Sequence, residues 1–187
     1  MKKALFFFLI LSMTVSSAFA EKASQDTDGA TPTPTPVSDT PLYIGLGTGV
    51  DLPGSGWDPN YLLAGGANLF AGYTLDKNLS VLLNLEEWFF TGTGYSLYQL
   101  RSLIEAKYTF DGQGWQPYVL AGPGMVFQSL SPSGDSTSNF DALVGAGVQF
   151  DVAPRTHVFI EAKYNFIMSS STTFSDIPIS AGIWVGL

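Results

Sequence analysis

The residues of this chain that could do chemistry are few, and they form no recognisable catalytic or metal-binding set. His157 is the single histidine and there is no cysteine, so a transition-metal site, which draws mainly on these two residue types, is not expected. Gly45 to Gly49 is rich in glycine but lacks the spacing of a phosphate-binding loop. Asp51, Asp58 and Asn60 offer oxygen ligands for weak calcium binding, although acidic loops are common. We therefore predict no cofactor and no metal ion.

Six other charged residues share a pattern, because each lies on the polar side of a segment with period-two alternation. Such alternation indicates a β-strand with one apolar and one polar face. The clearest example is 156–168, where Ile160 and Ala162 alternate with Glu161 and Lys163. Because the set contains both signs, its members can pair with one another inside a barrel. The predicted network, which we interpret as structural, consists of Glu86, Arg101, Glu105, Lys107, Glu161 and Lys163.

The elements that must position these charges are eight alternating segments separated by clusters of Gly, Pro, Asp, Asn and Ser. The sequence predicts an all-β fold, an eight-stranded antiparallel up-and-down transmembrane β-barrel over 41–187. The faces of the first and fifth segments, which are rich in glycine, are not assigned. The predicted strands are about 41–51, 61–75, 79–90, 95–110, 115–128, 139–151, 156–168 and 176–187.

Composition favours a barrel in a membrane over a soluble one. Charged residues are 13% of the chain and aromatic residues 14%, whereas soluble domains carry about 25% charge. Short connections alternate with longer ones such as 51–60, 129–138 and 169–175, as expected for periplasmic turns and outer loops. Aromatic residues cluster at strand ends, where girdles at the two lipid–water levels are expected. One predicted girdle contains Tyr73, Tyr108, Phe110, Trp115, Tyr118 and Phe150, and the other Phe89, Tyr95, Tyr98, Phe127, Phe140 and Phe166.

The first forty residues have a different character. Lys2 and Lys3 precede an apolar run too short to span a bilayer, and a small-x-small pattern ends at Ala20. We predict a signal peptide over 1–20 that is cleaved between Ala20 and Glu21. Residues 21–40 are rich in Asp, Ser, Thr and Pro, which predicts a disordered Thr/Pro-rich tail in the periplasm.

The end of the chain carries the most specific signal. Ser180, Gly182, Val185 and Leu187 follow the order polar, glycine, apolar and terminal apolar. In this pattern the chain resembles the small outer-membrane β-barrel family that includes the OmpA transmembrane domain and the OmpX-like, "porin family" barrels. The resemblance implies that these residues are an assembly signal read by the barrel-assembly machinery. The family usually ends in Phe, and this chain ends in Leu187.

The function expected from these features is a non-enzymatic outer-membrane barrel with a plugged lumen and a structural or surface-interaction role. One alternative is a lipid-modifying barrel enzyme. Some barrels of this size are lipid A deacylases with a Ser two positions after the His, but Phe159 holds that position here. The other alternative is a soluble periplasmic barrel that binds an apolar ligand.

Partners and location follow from the same expectations. We expect a monomer in the bacterial outer membrane, with periplasmic termini and long extracellular loops. Its partners would be outer-membrane lipid, the assembly machinery during biogenesis, and a cell-wall or surface ligand. A net charge of −8 argues against nucleic acid, whose phosphates require a basic face.

Overall fold

The computed structural model describes residues 41–57, 63–92, 94–112, 114–169 and 172–187. The predicted signal peptide, its cleavage site between Ala20 and Glu21, and the tail over 21–40 lie outside these residues. Among the residues described, no helix is long and apolar enough to cross a membrane. The strands are β1 (Leu42–Pro53), β2 (Ala64–Thr74), β3 (Leu79–Thr91), β4 (Ser96–Thr109), β5 (Trp115–Ser131), β6 (Ser136–Ala153), β7 (Thr156–Met168) and β8 (Thr173–Gly186).

The eight strands form one closed antiparallel barrel in which each strand pairs with its neighbours in sequence. β1 and β8 close it, with a continuous register from Tyr43 opposite Gly186 to Pro53 opposite Asp176. We call the end that holds Leu42 and Gly186 the terminal end. The opposite end, where β1–β2, β3–β4, β5–β6 and β7–β8 are connected, is the loop end. The predicted all-β, up-and-down barrel is confirmed.

The outward face of the barrel is apolar and the inward face is largely polar. Along β3, buried and exposed residues alternate from Leu82 to Thr91, because successive side chains of a strand point to opposite faces. Leu83, Ile104 and Ile160 are more than half exposed, whereas Asn84, Glu105 and Glu161 next to them in sequence are buried. A soluble barrel would have the opposite arrangement, so the outward apolar face supports a membrane location.

Most of the aromatic side chains predicted for the two girdles face outward, but Tyr118 does not. Tyr73, Phe110 and Trp115 are exposed near the terminal end, and Phe89 and Phe140 near the loop end. Tyr118 was predicted for the terminal-end girdle, and this prediction is wrong. Its side chain is 2% exposed and points into the barrel, because it lies on the inward-facing side of β5 together with Leu120.

The predicted difference in connection length is also partly wrong. The segment 129–138 was expected to be a long loop, but β5 continues to Ser131 and β6 begins at Ser136. These two strands contain 17 and 18 residues, more than the roughly 9–11 needed to cross a membrane. Likewise β8 already begins at Thr173. Much of the sequence assigned to loops therefore extends the sheet beyond the expected membrane thickness.

Glycines on the inward face make room for large side chains and close strand contacts. A Cβ atom at Gly182 of β8 would overlap Leu46 O and lie 2.6 Å from Gly47 Cα and 2.7 Å from Phe159 Cε1. Gly65 of β2 has no atom within 4 Å of such a Cβ. Gly182 is thus required by packing at the β1–β8 junction, whatever its role in assembly.

We expect Gly182→Val to lower the free energy of unfolding by about 1–3 kcal/mol, the usual cost of overpacking. Urea unfolding of the barrel in lipid vesicles would measure it. Gly65→Ala is the matched control. It should leave the free energy of unfolding unchanged or raise it slightly, because the added methyl group only restricts the backbone conformations of the unfolded chain. Equal effects of the two substitutions would contradict the packing explanation.

Candidate functional site in the barrel interior

All six residues of the predicted charge network lie inside the barrel. Their positions follow from strand parity. On β4, Glu105 follows Arg101 by four residues and Lys107 follows Glu105 by two, and on β7 Glu161 and Lys163 are two apart. The exposed fractions are 2% for Glu86, 0% for Arg101, 1% for Glu105, 6% for Lys107, 8% for Glu161 and 3% for Lys163. The structure brings five of them into ion-paired contact, and the exception is Lys107.

Lys163 is the centre of the first group, which we call the lysine cluster: Lys163, Glu86, Glu105 and Glu161. Its Nζ lies 2.8 Å from Glu86 Oε1, 2.8 Å from Glu105 Oε1 and 3.2 Å from Glu161 Oε1. Asn84 donates through Nδ2 to the same oxygens of Glu86 and Glu105, at 3.1 and 3.0 Å. Three strands, β3, β4 and β7, are therefore joined across the interior by one ammonium group.

Arg101 is the centre of the second group, the arginine cluster, and its carboxylates come from four strands. The guanidinium lies 3.2 Å from Asp51 on β1, 3.6 Å from Glu86 on β3 and 3.6 Å from Asp141 on β6. It also donates from Nη2 to Asp176 on β8. Glu86 belongs to both clusters. Such buried charges are tolerated only when they are paired, so each cation and its carboxylates depend on one another.

Sequence reasoning missed the three aspartates of the arginine cluster. Asp51 was considered part of a calcium-binding loop, but it lies on β1 and is fully buried against Arg101. The other two residues considered for weak calcium binding, Asp58 and Asn60, lie outside the described residues. Asp141 lies on the polar face of the predicted strand 139–151, but nothing in the sequence indicates its level along the barrel. Asp176 lies at the predicted beginning of the last strand, where the sequence pattern does not show whether a residue belongs to the loop or to the strand.

Buried acids outnumber buried bases in the described part of the interior. Six carboxylates are buried, compared with three Lys and Arg side chains. The interior potential is therefore negative, and an aqueous path through it would favour cations over anions. The six acids are Asp51, Glu86, Glu105, Asp141, Glu161 and Asp176.

Lys107 lies apart from both clusters, towards the terminal end. Its Nζ donates to Gln149 Oε1 at 2.6 Å and lies 4.1 Å from the centre of the Tyr118 ring. No carboxylate among the described residues is within 4.0 Å of it. Tyr118 in turn donates to Glu161 Oε2 at 2.9 Å. The tyrosine therefore links the lysine cluster to the ammonium of Lys107 through one hydrogen bond and one cation–π contact.

Aromatic rings fill the terminal end of the interior. His157 is stacked on Trp184 with ring centroids 3.6 Å apart, and Trp184 contacts Tyr43 at 4.8 Å. The Nδ1 atom of His157 lies 2.5 Å from Asp151 Oδ1. His157 is the second residue of the predicted strand 156–168, and in the structure its ring points inward. It therefore does not lie on the lipid-facing side.

The residues of the predicted assembly signal divide between the two faces of β8. Ser180 is buried and donates to Glu161 Oε1 at 3.3 Å, and Gly182 also faces inward. Val185 and Leu187 face outward and are 39% and 52% exposed. The inward pair thus contributes to the interior packing described above, and the outward pair belongs to the apolar surface.

The comparison with protein families identifies this architecture. The family model described as outer membrane protein beta-barrel domain matches residues 7–183. The chain belongs to this family. Membership locates the protein in the bacterial outer membrane, which agrees with the apolar outward face and excludes the soluble periplasmic barrel.

Three solved structures of other proteins have the same fold at low sequence identity. Neisserial surface protein A is 21% identical, with 79% of this chain and 98% of that chain covered and a TM-score of 0.65. The Pseudomonas aeruginosa outer membrane protein OprG is 13% identical, with coverages of 78% and 95% and a TM-score of 0.55. The N-terminal barrel domain of P. aeruginosa OprF is 16% identical, with coverages of 76% and 96% and a TM-score of 0.53. No curated protein sequence matches the chain.

Proposed function

We propose that this family member is a non-enzymatic outer-membrane barrel whose lumen is plugged by its own side chains, with a structural or surface-interaction role. The observation that carries the proposal is the connection of the arginine and lysine clusters through Glu86. Together they join six of the eight strands across the interior. An eight-stranded barrel has an interior only wide enough to be filled by side chains, and these clusters occupy its centre.

The regions on both sides of the clusters support a closed lumen. At the terminal end, the rings of Tyr43, Phe70, Phe159 and Trp184 pack together. A cavity between these rings and the lysine cluster has a volume of about 10 Å³, which is roughly the room that one water molecule needs. A continuous aqueous path would require a much wider connected space.

The enzymatic alternative is less well supported by the geometry. A lipid-modifying barrel needs its catalytic groups where a lipid can reach them. His157 and its neighbour Asp151 form an acid–base pair, but the imidazole faces the interior and is covered by Trp184. Lipid turnover by the purified barrel that is lost in His157→Ala would establish the enzymatic function instead.

The orientation and partners are part of the proposal. The terminal end would face the periplasm, where the tail over 21–40 follows the signal peptide, and the loop end would face the exterior. There the β5–β6 hairpin, the longest pair of strands, offers Ser, Thr, Asn and Gln side chains to a surface ligand. The assembly machinery would recognise β8 through Ser180, Gly182, Val185 and Leu187, and the folded barrel would be a monomer in contact with outer-membrane lipid.

We expect the purified, folded barrel to produce no steady conductance in planar lipid bilayers. The reason is that, in the proposed plug, the two clusters and the terminal-end rings would block a path for water or ions through the described part of the interior. Unheated and boiled samples compared by gel electrophoresis would verify folding, since a folded barrel migrates differently before boiling. Reproducible steps of stable current from samples that show this mobility shift would contradict the plugged lumen.

A further inference from the structure

Aromatic side chains that belong to neither charge cluster cover the loop end of the interior. The ring of Trp57, in the segment that follows β1, is stacked on Phe90 with centroids 4.8 Å apart and an interplanar angle of 22°. It also meets Phe174 edge-on at 5.9 Å. Beneath it, Phe90 and Trp88 are 0% and 1% exposed. Among the described residues, Trp57 is therefore the outermost layer of an apolar group at the barrel mouth.

The segment Gly54–Trp57 is held in place by hydrogen bonds to Ser175 of β8. Gly54 N donates to Ser175 O at 2.7 Å, and Ser175 N donates to Ser55 O at 3.0 Å. The indole Nε1 of Trp57 donates to Ser175 O at 2.7 Å. Gly56 has φ of 83°, a conformation that favours glycine and lets the chain turn towards the mouth. Hydrogen bonds to Ser175 thus contribute to fixing the segment.

The arginine cluster lies directly below this apolar group. Trp88 donates through Nε1 to Glu86 Oε2 at 3.1 Å, so the lowest ring of the group contacts the cluster itself. Gln99 is opposite Trp88 in the β3–β4 register, and its Oε1 accepts from Arg101 Nη2 at 2.7 Å. Gln99 is fully buried, and it is therefore a suitable reporter position between the rings and the ions.

We propose that Gly54–Trp57 is a lid that keeps water and solutes at the loop end away from the arginine cluster. Displacing it exposes the arginine cluster to the loop end, where cations approach in preference to anions, since the carboxylates of that cluster outnumber its single guanidinium. This inference rests on the proposed plugged lumen and adds to it. The charges close the centre of the barrel, and the lid closes the mouth independently.

The absence of cysteine from the chain allows a direct test by thiol labelling. Gln99→Cys would be introduced alone and together with Trp57→Ala, and the folded proteins in detergent micelles would be treated with cationic or anionic methanethiosulfonates. We expect Trp57→Ala to accelerate labelling at position 99 about tenfold or more, corresponding to about 1.4 kcal/mol easier opening. The cationic reagent should react faster than the anionic one.

Two controls make the result specific. Phe89→Ala removes an aromatic ring from the outward face next to Phe90 and should leave labelling at position 99 unchanged. Ser133→Cys, on the exposed β5–β6 turn, should react equally fast with and without Trp57. Unchanged labelling of Gln99→Cys after loss of Trp57, or equal acceleration by Phe89→Ala, would overturn the lid. Conductance of the unsubstituted barrel would instead contradict the plugged lumen.

Discussion

Replacing Arg101 with methionine should lower the free energy of unfolding by about 3–5 kcal/mol, the usual cost of breaking a buried ion pair from one side. The substitution preserves much of the side-chain volume but leaves four buried carboxylates without their guanidinium. Two of these, on Asp51 and Asp176, lie on the strands that close the barrel, so we expect the β1–β8 junction to weaken most. Urea titration in lipid vesicles, followed by tryptophan fluorescence and gel mobility, would measure the loss.

Lys77→Met is the matched control for this experiment. Lys77 pairs with Asp111 at 3.4 Å, but the two side chains are 69% and 79% exposed, and an exposed pair of this kind contributes about 0–1 kcal/mol. If Arg101→Met does not fold, the triple variant with Asp51→Asn and Asp176→Asn should recover folding, because fewer unpaired charges remain. An Arg101→Met barrel as stable as Lys77→Met would show that the arginine cluster does not hold the strands together.

The two interior lysines should respond very differently to the same substitution. Lys163→Met removes three ion pairs at 2.8, 2.8 and 3.2 Å, and we expect it to cost about 3–5 kcal/mol. Lys107→Met removes one hydrogen bond to Gln149 and one cation–π contact with Tyr118. Each of these is worth about 1–2 kcal/mol, and burial of the charge offsets part of it.

The same urea titration would compare the two lysine variants, and the double variant would show whether their effects add. Lys163 and Lys107 are linked through Tyr118 and Glu161. We therefore expect the loss of unfolding free energy in the double variant to differ from the sum of the two single losses. Losses of equal size for the two single variants would mean that burial, and not ion pairing, determines the contribution of each lysine. That result would also count against a plug that is held together by specific ion pairs.

The few charged residues of this chain are concentrated in the barrel interior. Almost every charged strand residue that parity turns inward belongs to a cluster or contacts one, and the outward face carries Glu87 as its one charged side chain among the described strand residues. Glu87 lies near the loop end, between Leu85 and Phe89 on the same face. At the level of the headgroups a carboxylate has little cost.

The sequence by itself determined the number of strands, their approximate bounds and the face on which each clear strand carries its charges. The reason is physical: a strand between lipid and a filled interior must alternate with a period of two. This period is visible in single segments such as 156–168. It is much weaker where glycine replaces side chains, and the faces of β1 and β5 became clear only from the register of their neighbours.

Only the tertiary structure decided which charges meet. Parity gives the face of a residue but not its level along the barrel, and the level depends on the register between strands. Asp51 and Arg101 lie on strands that are not adjacent in the barrel, and Asp141 and Asp176 reach the same guanidinium from two further strands. Lys107 and Lys163 occupy equivalent positions in the similar segments 104–110 and 160–166. Lys107 nevertheless binds an amide and Lys163 three carboxylates, because their levels and neighbours differ. The lid over the barrel mouth likewise depends on contacts between Trp57, Phe90 and Ser175, which no local pattern in the sequence connects.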